Sequence, residues 1–426
     1  MKRLGQKYLG ILLLVFMVLS ASLCVSAVGI VNKDTNSTDI VMGNNTKNDT
    51  STNITNYTDV IFVSVDGNDN NNGTSELESK RTIQNAINKE SKKNTIIIVK
   101  PGVYYENIRI LKNRNIIFKG ENATINGNAR NRCINISGGA NVELYGFTIT
   151  NGSTKYYGGG ISNQGNLTVE NCRITGNHAN DGGGISSTPE IGQLAPKLII
   201  KDSIIQNNSA YCGSGIYNVG ILTIERSIIK DNKADSIGGG IYTYNVINFY
   251  NSTIIGNQAS NGGGIYSNEG EIYGFNVTIK CNNATNGGGV YSLNDRKIEN
   301  CTIENNSAVN GGGLYAEKLG GGLSAKIIPR KVFNCIFKDN TANNSGGGAF
   351  LNFGYTFVAC VFDHNSATAY GGAINSSKKK ILTISNCVFT DNIASKGGAI
   401  ALKGELKHYY SSKFTNNQAP DIYIIT

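Results

Sequence analysis

Six aromatic side chains recur at one phase of this 426-residue chain: Tyr217, Tyr242, Tyr266, Tyr291, Tyr315 and then Phe350. Each follows a glycine cluster and one apolar residue, so strand alternation turns the apolar residue inward and the ring outward, one ring about every 4.8 Å. Such a row either stacks on itself and stiffens a sheet, or offers a platform to sugar rings or another extended ligand. Other residues with chemical potential are sparse. Asp66 and Asp69, in the loop Asp66-Gly67-Asn68-Asp69-Asn70-Asn71-Asn72-Gly73, are weak calcium candidates. That loop lacks the terminal Glu of a helix-loop-helix calcium site and reads more simply as a turn. Of the three histidines, His178, His364 and His408, two stand beside Asn turns. Glycoside cleavage needs clustered carboxylates, and lyases need acidic calcium ligands with a basic partner. The repeated positions hold Asn, Thr, Ser and Tyr instead. There is no nucleophile elbow, phosphate loop, zinc-protease helix or C-x-x-C zinc spacing. The sequence therefore predicts no catalytic residue, no bound metal beyond the weak loop and no cofactor.

A repeat supplies the elements that place these residues. From Gly238, Gly262 and Gly287 the chain reads three times as a glycine triplet, an apolar residue, Tyr, a β-branched run and Ile-x-x-Asn-x-Ala, at spacings of 24 and 25 residues. Further glycine clusters begin at Gly158, Gly182, Gly213, Gly311, Gly346, Gly371 and Gly397, and the companion Asn recurs from Asn177 to Asn417, which makes ten copies. A period of this kind marks a solenoid, whose units bury their apolar faces against one another. Within a unit, Leu222-Thr223-Ile224 and Leu382-Thr383-Ile384 alternate, and Cys387-x-Phe389 keeps the period of two, which is strand spacing. No copy carries helical periodicity, and the L-x-x-L-x-L run of a leucine-rich repeat is missing. Three short strands per copy predict an all-β fold: a right-handed, single-stranded parallel β-helix of 24–25 residues per coil with a short N-terminal capping helix.

Two ladders then have physical causes. Glycine belongs where the chain turns sharply, because a residue without Cβ tolerates positive φ and close coil approach. Asn tolerates the left-handed region next best, and stacked Asn side chains can exchange amide hydrogen bonds along the axis. Cys172, Cys301, Cys335, Cys360 and Cys387 stand two residues before the Ile or Phe of the motif, where other copies place Ser203, Ser227, Ser252 and Ser412. Exchange with Ser asks for a small side chain, and i, i+2 spacing turns these thiols inward as reduced packing residues. Bridging between neighbouring coils is geometrically permitted.

In chain order, Lys2, Arg3 and Lys7 precede an apolar run and Val25-Ser26-Ala27, so residues 1–27 read as a signal peptide cleaved after Ala27. Cys24 hints at a lipoprotein box, which the bulky Leu23 fits poorly, and an uncleaved anchor is the alternative. Residues 28–58 are Asn- and Thr-rich with little to bury, a disordered tether. Asn36, Asn44, Asn48, Asn53 and Asn56 within it are glycosylation candidates. Residues 59–157 read as an N-terminal cap and irregular first coils, with Thr82 capping a helix that buries Ile83, Ala86 and Ile87. Residues 158–426 are the ten-copy domain, with insertions at 188–197 and 320–328 on equivalent sides of two coils. No apolar span precedes Thr426, so no transmembrane anchor is expected at the C-terminus.

Basic residues number 39 against 30 acidic, +9 overall. Three basic residues lie in the leader, leaving 36 against 30, and Lys378-Lys379-Lys380 is the only sharp cluster. So modest a charge does not suggest nucleic acid. Gly371-Gly372-Ala373-Ile374 and Gly397-Gly398-Ala399-Ile400, with Phe337-x-x-Asn340, Phe362-x-x-Asn365, Phe389-x-x-Asn392 and Phe414-x-x-Asn417, resemble the GGAI and FxxN repeats of chlamydial polymorphic outer membrane proteins. The plan of leader, tether, VSVDGNDNNNGT, TIQNAIN, GVYYENIRI and GGGI repeats is more similar still to adhesin-like surface proteins of methane-producing archaea, over residues 60–426. The resemblance implies a pectate-lyase-like β-helix, a secreted or cell-surface location, and adhesion to cell-surface glycans or a partner cell surface. The membrane barrel that ends the chlamydial proteins has no counterpart, so retention by another route is implied. TIQNAIN and GVYYENI are also similar to pectin methylesterases, whose catalytic aspartates and arginine find no matching motif downstream. Three functions follow in order: a non-catalytic adhesin, a structural surface-layer component, and a polysaccharide-active enzyme.

Overall fold

Alternating residues at a fixed repeat phase can satisfy their backbones only against the same residues of the next unit, and the pairing follows that rule throughout. Ile216 lies beside Ile241, Ile241 beside Ile265, Ile265 beside Val290, and Val290 beside Leu314, all in parallel register. The computed structural model describes residues 59–89, 94–293, 297–318, 330–407, 411–418 and 420–426. The leader, the tether with its five glycosylation candidates, the second insertion and His408 lie outside them. Every strand pairing within the described residues is parallel, in one 23-stranded sheet, one 13-stranded sheet and two short sheets of three and four strands. The 13-stranded sheet takes one strand from each coil, so the parallel β-solenoid has about 13 turns.

Residues 59–157 are more regular than their sequence suggests. Asp59–Val63 pairs with Asn94–Val99, which pairs with Asn115–Asn126, then Asn141–Thr150, then Asn166–Glu170. These coils lack glycine triplets yet stack in continuous register with the repeats. An exposed-side relay of amides marks them: Asn115 donates to Asn94 (2.7 Å), Asn141 to Asn115 (2.7 Å) and Asn166 to Asn141 (2.8 Å). The helix Ile83–Lys89 buries Ile83, Ala86 and Ile87 in the central core. Thr82 caps it, its Oγ1 accepting from the Asn85 amide at 3.2 Å, and the Glu106 carboxylate accepts from the amides of Ile83 and Gln84, each at 2.8 Å. Glu106 satisfies helix-start donors from a later loop, a partner that sequence spacing does not reveal.

The interior consists of columns. Ile174, Ile205, Ile229, Ile254, Ile279 and Ile303 are fully buried, and Phe337, Phe362 and Phe389 continue the same column. Those rings stack with centroids 4.7 and 5.0 Å apart, and Phe414 extends them at 4.9 Å. Beside them runs the Asn ladder. Each side-chain Nδ2 from Asn177 to Asn392 donates to the Oδ1 of the next Asn at 2.9–3.0 Å. In a middle coil, the second Nδ2 hydrogen of Asn257 goes to the Ile229 carbonyl (3.0 Å), while its Oδ1 accepts from both the backbone N–H and the Nδ2 of Asn232. Every polar atom of the buried amide is satisfied, which is the condition for keeping such a group in an apolar interior. The ladder starts on Gly152 N–H, which donates to Asn177 Oδ1 at 2.9 Å, and finishes with Asn417 donating to Asp421 at 3.0 Å.

The ladder asparagines are not themselves the left-handed residues, as the sequence suggested. That conformation falls one position earlier, on Asp231, Cys281, Asn305, Asp339, His364 and Asp391, with φ of 52–54°. The turn is made there so that the following Asn can point inward. A second left-handed position, Asn251, Asn276, Asn300, Asn334 and Asn386, precedes the next corner, and the first glycine of each cluster, such as Gly262 at φ 66°, makes the third. The second glycine is required for a different reason: a Cβ on Gly263 would lie 2.5 Å from the Asn283 carbonyl oxygen.

The Ser and Cys column points inward as expected. Ser203, Ser227 and Ser252 donate to the carbonyl two residues back at 2.6, 2.7 and 2.8 Å, and Cys301, Cys335, Cys360 and Cys387 do the same with Sγ at 3.2–3.4 Å. The position therefore asks for a small donor. All eight described cysteines are unbridged, and only Cys281 is exposed. Burial pushes the Cys172 thiol up to about 11 and the Cys133 thiol to about 12.

Two outcomes follow from these columns. Asn257→Ala strands the Asn232 donors and the Ile229 carbonyl in the core, so it is expected to lower stability by about 2–4 kcal/mol. Asn417→Ala, at the half-buried end, is expected to do less, as measured by urea unfolding followed by circular dichroism. In the folded chain from Val28, an aromatic disulfide reagent at neutral pH is expected to label Cys281 alone, with the remaining thiols appearing only in denaturant.

Candidate functional site

The aromatic column forms where the repeat phase puts it, on the strands of the 13-stranded sheet. Tyr217, Tyr242, Tyr266, Tyr291, Tyr315 and Phe350 stack in order, with centroids 4.6, 5.5, 4.8, 4.9 and 5.1 Å apart and ring planes within 19° of parallel. The expected exposure is not found. Tyr242, Tyr291 and Tyr315 are buried at 7–9% exposure, and Tyr217, Tyr266 and Phe350 are half-buried. Leu293 packs into the column. The Tyr315 hydroxyl donates to Glu317 at 3.3 Å and accepts from Asn352 Nδ2 at 2.7 Å, and burial pushes its phenol up to about 12. Sugars stack on ring faces, and here each interior face is already covered by the next ring. The geometry is that of cross-strand stiffening, a satellite core outside the main one.

The acidic loop also resolves. Lys80 is buried at 3% exposure, and its Nζ donates to the carbonyls of Asp69 (3.0 Å) and Asn71 (2.8 Å). The Asp69 carboxylate accepts from the amides of Arg81 and Thr82 at 3.0 and 2.9 Å and from the Thr82 hydroxyl at 3.0 Å. The loop wraps a cation that the chain supplies itself, and three of the four lone pairs of the Asp69 carboxylate are taken by Arg81 and Thr82. Asp66 stays exposed at the loop edge, its amide donating to Ser64 Oγ at 3.3 Å.

The structure adds a cluster the sequence reading passed over. Asp363, His364 and Asp391 bring ligand-type atoms within 4.8 Å of one another on the surface. His364 Nδ1 lies 2.7 Å from Asp363 and its Nε2 3.8 Å from Asp391, and the Asp363 hydrogen bond raises the imidazole above its ordinary range. His364 is exposed, so the trio is a surface ion-pair cluster across adjacent coils rather than an enclosed site.

A second feature, on the flank of the first coils, is concave. A cleft of about 660 Å³ is lined by Arg109, Arg130, Arg132 and Lys155 together with Asn107 and Tyr156, and no acidic residue lines it. In the parallel register Arg109 lies beside Asn135 of the next coil, while Arg130, Arg132 and Lys155 reach the cleft from the connections outside the strands. Arg132 Nη1 donates to Asn135 at 3.2 Å while its Nε is buried without a hydrogen-bond partner. Burial lowers the Arg132 guanidinium. Tyr156 is 59% exposed, with the Lys155 ammonium 5.4 Å from its ring centre. The cleft's cations occupy different positions of successive coils, so no common repeat phase flagged them in the sequence.

The described insertion, residues 188–197, reaches back over the surface: Glu190 pairs with Lys112 at 2.9 Å, and Ile191 and Leu194 are almost wholly exposed.

With this geometry in place, three segments, residues 300–317, 359–377 and 386–403, match the Chlamydia polymorphic membrane protein repeat. Each segment contains a ladder Asn and the following glycine cluster, so the chain carries these repeats as the units of its β-solenoid. No curated protein matches the chain. Among solved structures, XylC in complex with xylose shares 11% identity over 85% of this chain and 86% of that one, at a TM-score of 0.41. The GH136 lacto-N-biosidase from Eubacterium ramulus shares 9% over 86% and 68%, at 0.30. A rhamnogalacturonan lyase shares 10% over 86% and 87%, at 0.24. Likenesses this loose transfer no chemistry. No helix among the described residues is long and apolar enough to cross a membrane.

The stacked rings give a direct expectation. Tyr242→Ala opens a gap between Tyr217 and Tyr266 and is expected to destabilise the solenoid by about 3 kcal/mol while Tyr242→Phe stays near wild type. Thermal unfolding of the two variants checks it, and a loss of glycan binding in a fully stable Tyr242→Phe protein would return the column to the list of ligand sites.

Proposed function

We propose that this chain, a parallel β-solenoid wound from polymorphic membrane protein repeats, works at the cell surface as an adhesin-like rod that binds other cells or their glycans without catalysing a reaction. The observation that supports the reading is the use to which the repeat is put. The Asn, Ser/Cys, Phe and Tyr columns each engage their own copies in the next coil, so the repeated residues build a shaft. Partner contacts then fall to flank residues that do not repeat, among them the basic cleft and the projecting loop at 188–197. A rigid shaft carrying individual contacts on its flank suits reach and adhesion, where many weak contacts add through avidity.

The test uses the chain from Val28 coupled to beads. Adherence to partner cells or to members of a glycan array is expected, with no release of reducing or unsaturated sugar ends in the presence or absence of calcium. Sugar-end release would replace adhesion with a polysaccharide-active enzyme. Self-assembly into sheets with no heterologous adherence would replace it with a surface-layer component.

A further inference from the structure

The cleft in the first coils has a chemistry of its own. Three of its four cations are arginines, whose planar forks match carboxylate and sulfate oxygens in pairs. None of Arg109, Arg130, Arg132 and Lys155 pairs with a carboxylate among the described residues, although the same solenoid pairs Arg226 with Asp202 at 2.6 Å and Lys112 with Glu190 at 2.9 Å. Unpaired like charges gathered in one cleft repel one another, and an anion between them removes that repulsion. The floor is polar and precise: Asn107 Nδ2 donates to the Arg132 carbonyl at 3.0 Å, and Asn135 orients the Arg132 fork. The buried, unsatisfied Arg132 Nε belongs to the same side chain. At the rim, Tyr156 presents an exposed ring that stacks on no other aromatic among the described residues, unlike the self-stacked column. A cleft of about 660 Å³ lies within the size range of small-ligand sites and has no continuation as a cationic stripe along the rod.

We propose that this cleft binds the anionic group of an acidic saccharide, with Arg109, Arg130, Arg132 and Lys155 holding its carboxylate or sulfate and Tyr156 packing against the sugar ring. The proposal rests on the adhesive reading and names the ligand class of one of its flank contacts. Carboxylated and sulfated sugars share this chemistry. Nucleic acid has the charge as well, but it needs an extended basic track, which the flank lacks.

Calorimetric titration of the chain from Val28 tests it with four probes: an oligogalacturonate, a sulfated heparin tetrasaccharide, a neutral galacto-oligosaccharide and a single-stranded oligonucleotide. One or both acidic sugars are expected to bind, weakening as salt rises, and the neutral sugar to bind at least tenfold less tightly. Which acidic probe binds identifies the anion. Arg130→Gln, at an exposed position, and Arg132→Gln are each expected to weaken acidic binding about tenfold at unchanged melting temperature, and Tyr156→Ala to weaken it severalfold. Arg226→Gln, on another part of the flank, is expected to change nothing. Equal binding of neutral and acidic sugars, tightest binding of the oligonucleotide, or an Arg226→Gln loss equal to that of Arg130→Gln overturns the proposal. Parallel adherence assays separate the two readings. Adherence without acidic-sugar binding removes the cleft and leaves adhesion standing. Acidic-sugar binding without adherence does the reverse, and failure of both removes both.

Discussion

The fold depends on a buried file of carboxamides. An unpaired amide in an apolar interior is destabilising by about 1–3 kcal/mol, yet here ten asparagines sit inside or at the end of the core because each is completed by its neighbours. The completion works only if consecutive coils are separated by one strand spacing and held in one register. The amides thereby convert a general tendency of β-branched residues to pair into a single alignment. A slip of one residue would bring a polar corner residue such as Asp231 or Lys233 to the amide position and break the file. The glycine clusters and left-handed corners serve the same end, setting the path length of each coil so that Asn meets Asn.

The columns divide the labour between stability and specificity. Phe337, Phe362 and Phe389 fill the far coils where isoleucine fills the near ones, and the Tyr column adds a second stack on the 13-stranded sheet. Cysteine and serine alternate at a position that requires a small donor, and burial keeps most thiols inert. Nearly all recurring functional-group chemistry is thus directed inward. What faces outward differs from coil to coil, which is the arrangement expected of a scaffold that displays individual contact residues.

Much of this was legible in the sequence because repetition averages over local ambiguity. Ten copies with one phase identify strand, turn and core positions even where single segments are too short to classify, and Asn177 to Asn417 were readable as a ladder from spacing alone. Three features were harder to read. The orientation of Tyr242 and its fellows followed from alternation, but their burial depends on side chains such as Leu293 and Asn352 from outside the motif. The Asp66–Asp69 loop read as a turn with two weak calcium candidates, and the ammonium that fills it comes from Lys80, beyond the loop. The cleft is built from coils whose turns lack the glycine signature, and Arg109, Arg132 and Lys155 converge on it from different positions of those coils, so no repeat phase announced them.

The amide file also has a direction. Every Nδ2 from Asn177 onward points to the following coil, and each interior unit presents the same acceptor backward and the same donor forward. A unit excised or copied in frame therefore leaves its flanking partners with matching ends, and no orphaned donor results. Recombination between near-identical units can change the reach of the rod in steps of one strand spacing, while the groups that close the file, Gly152 at one end and Asp421 at the other, stay as they are.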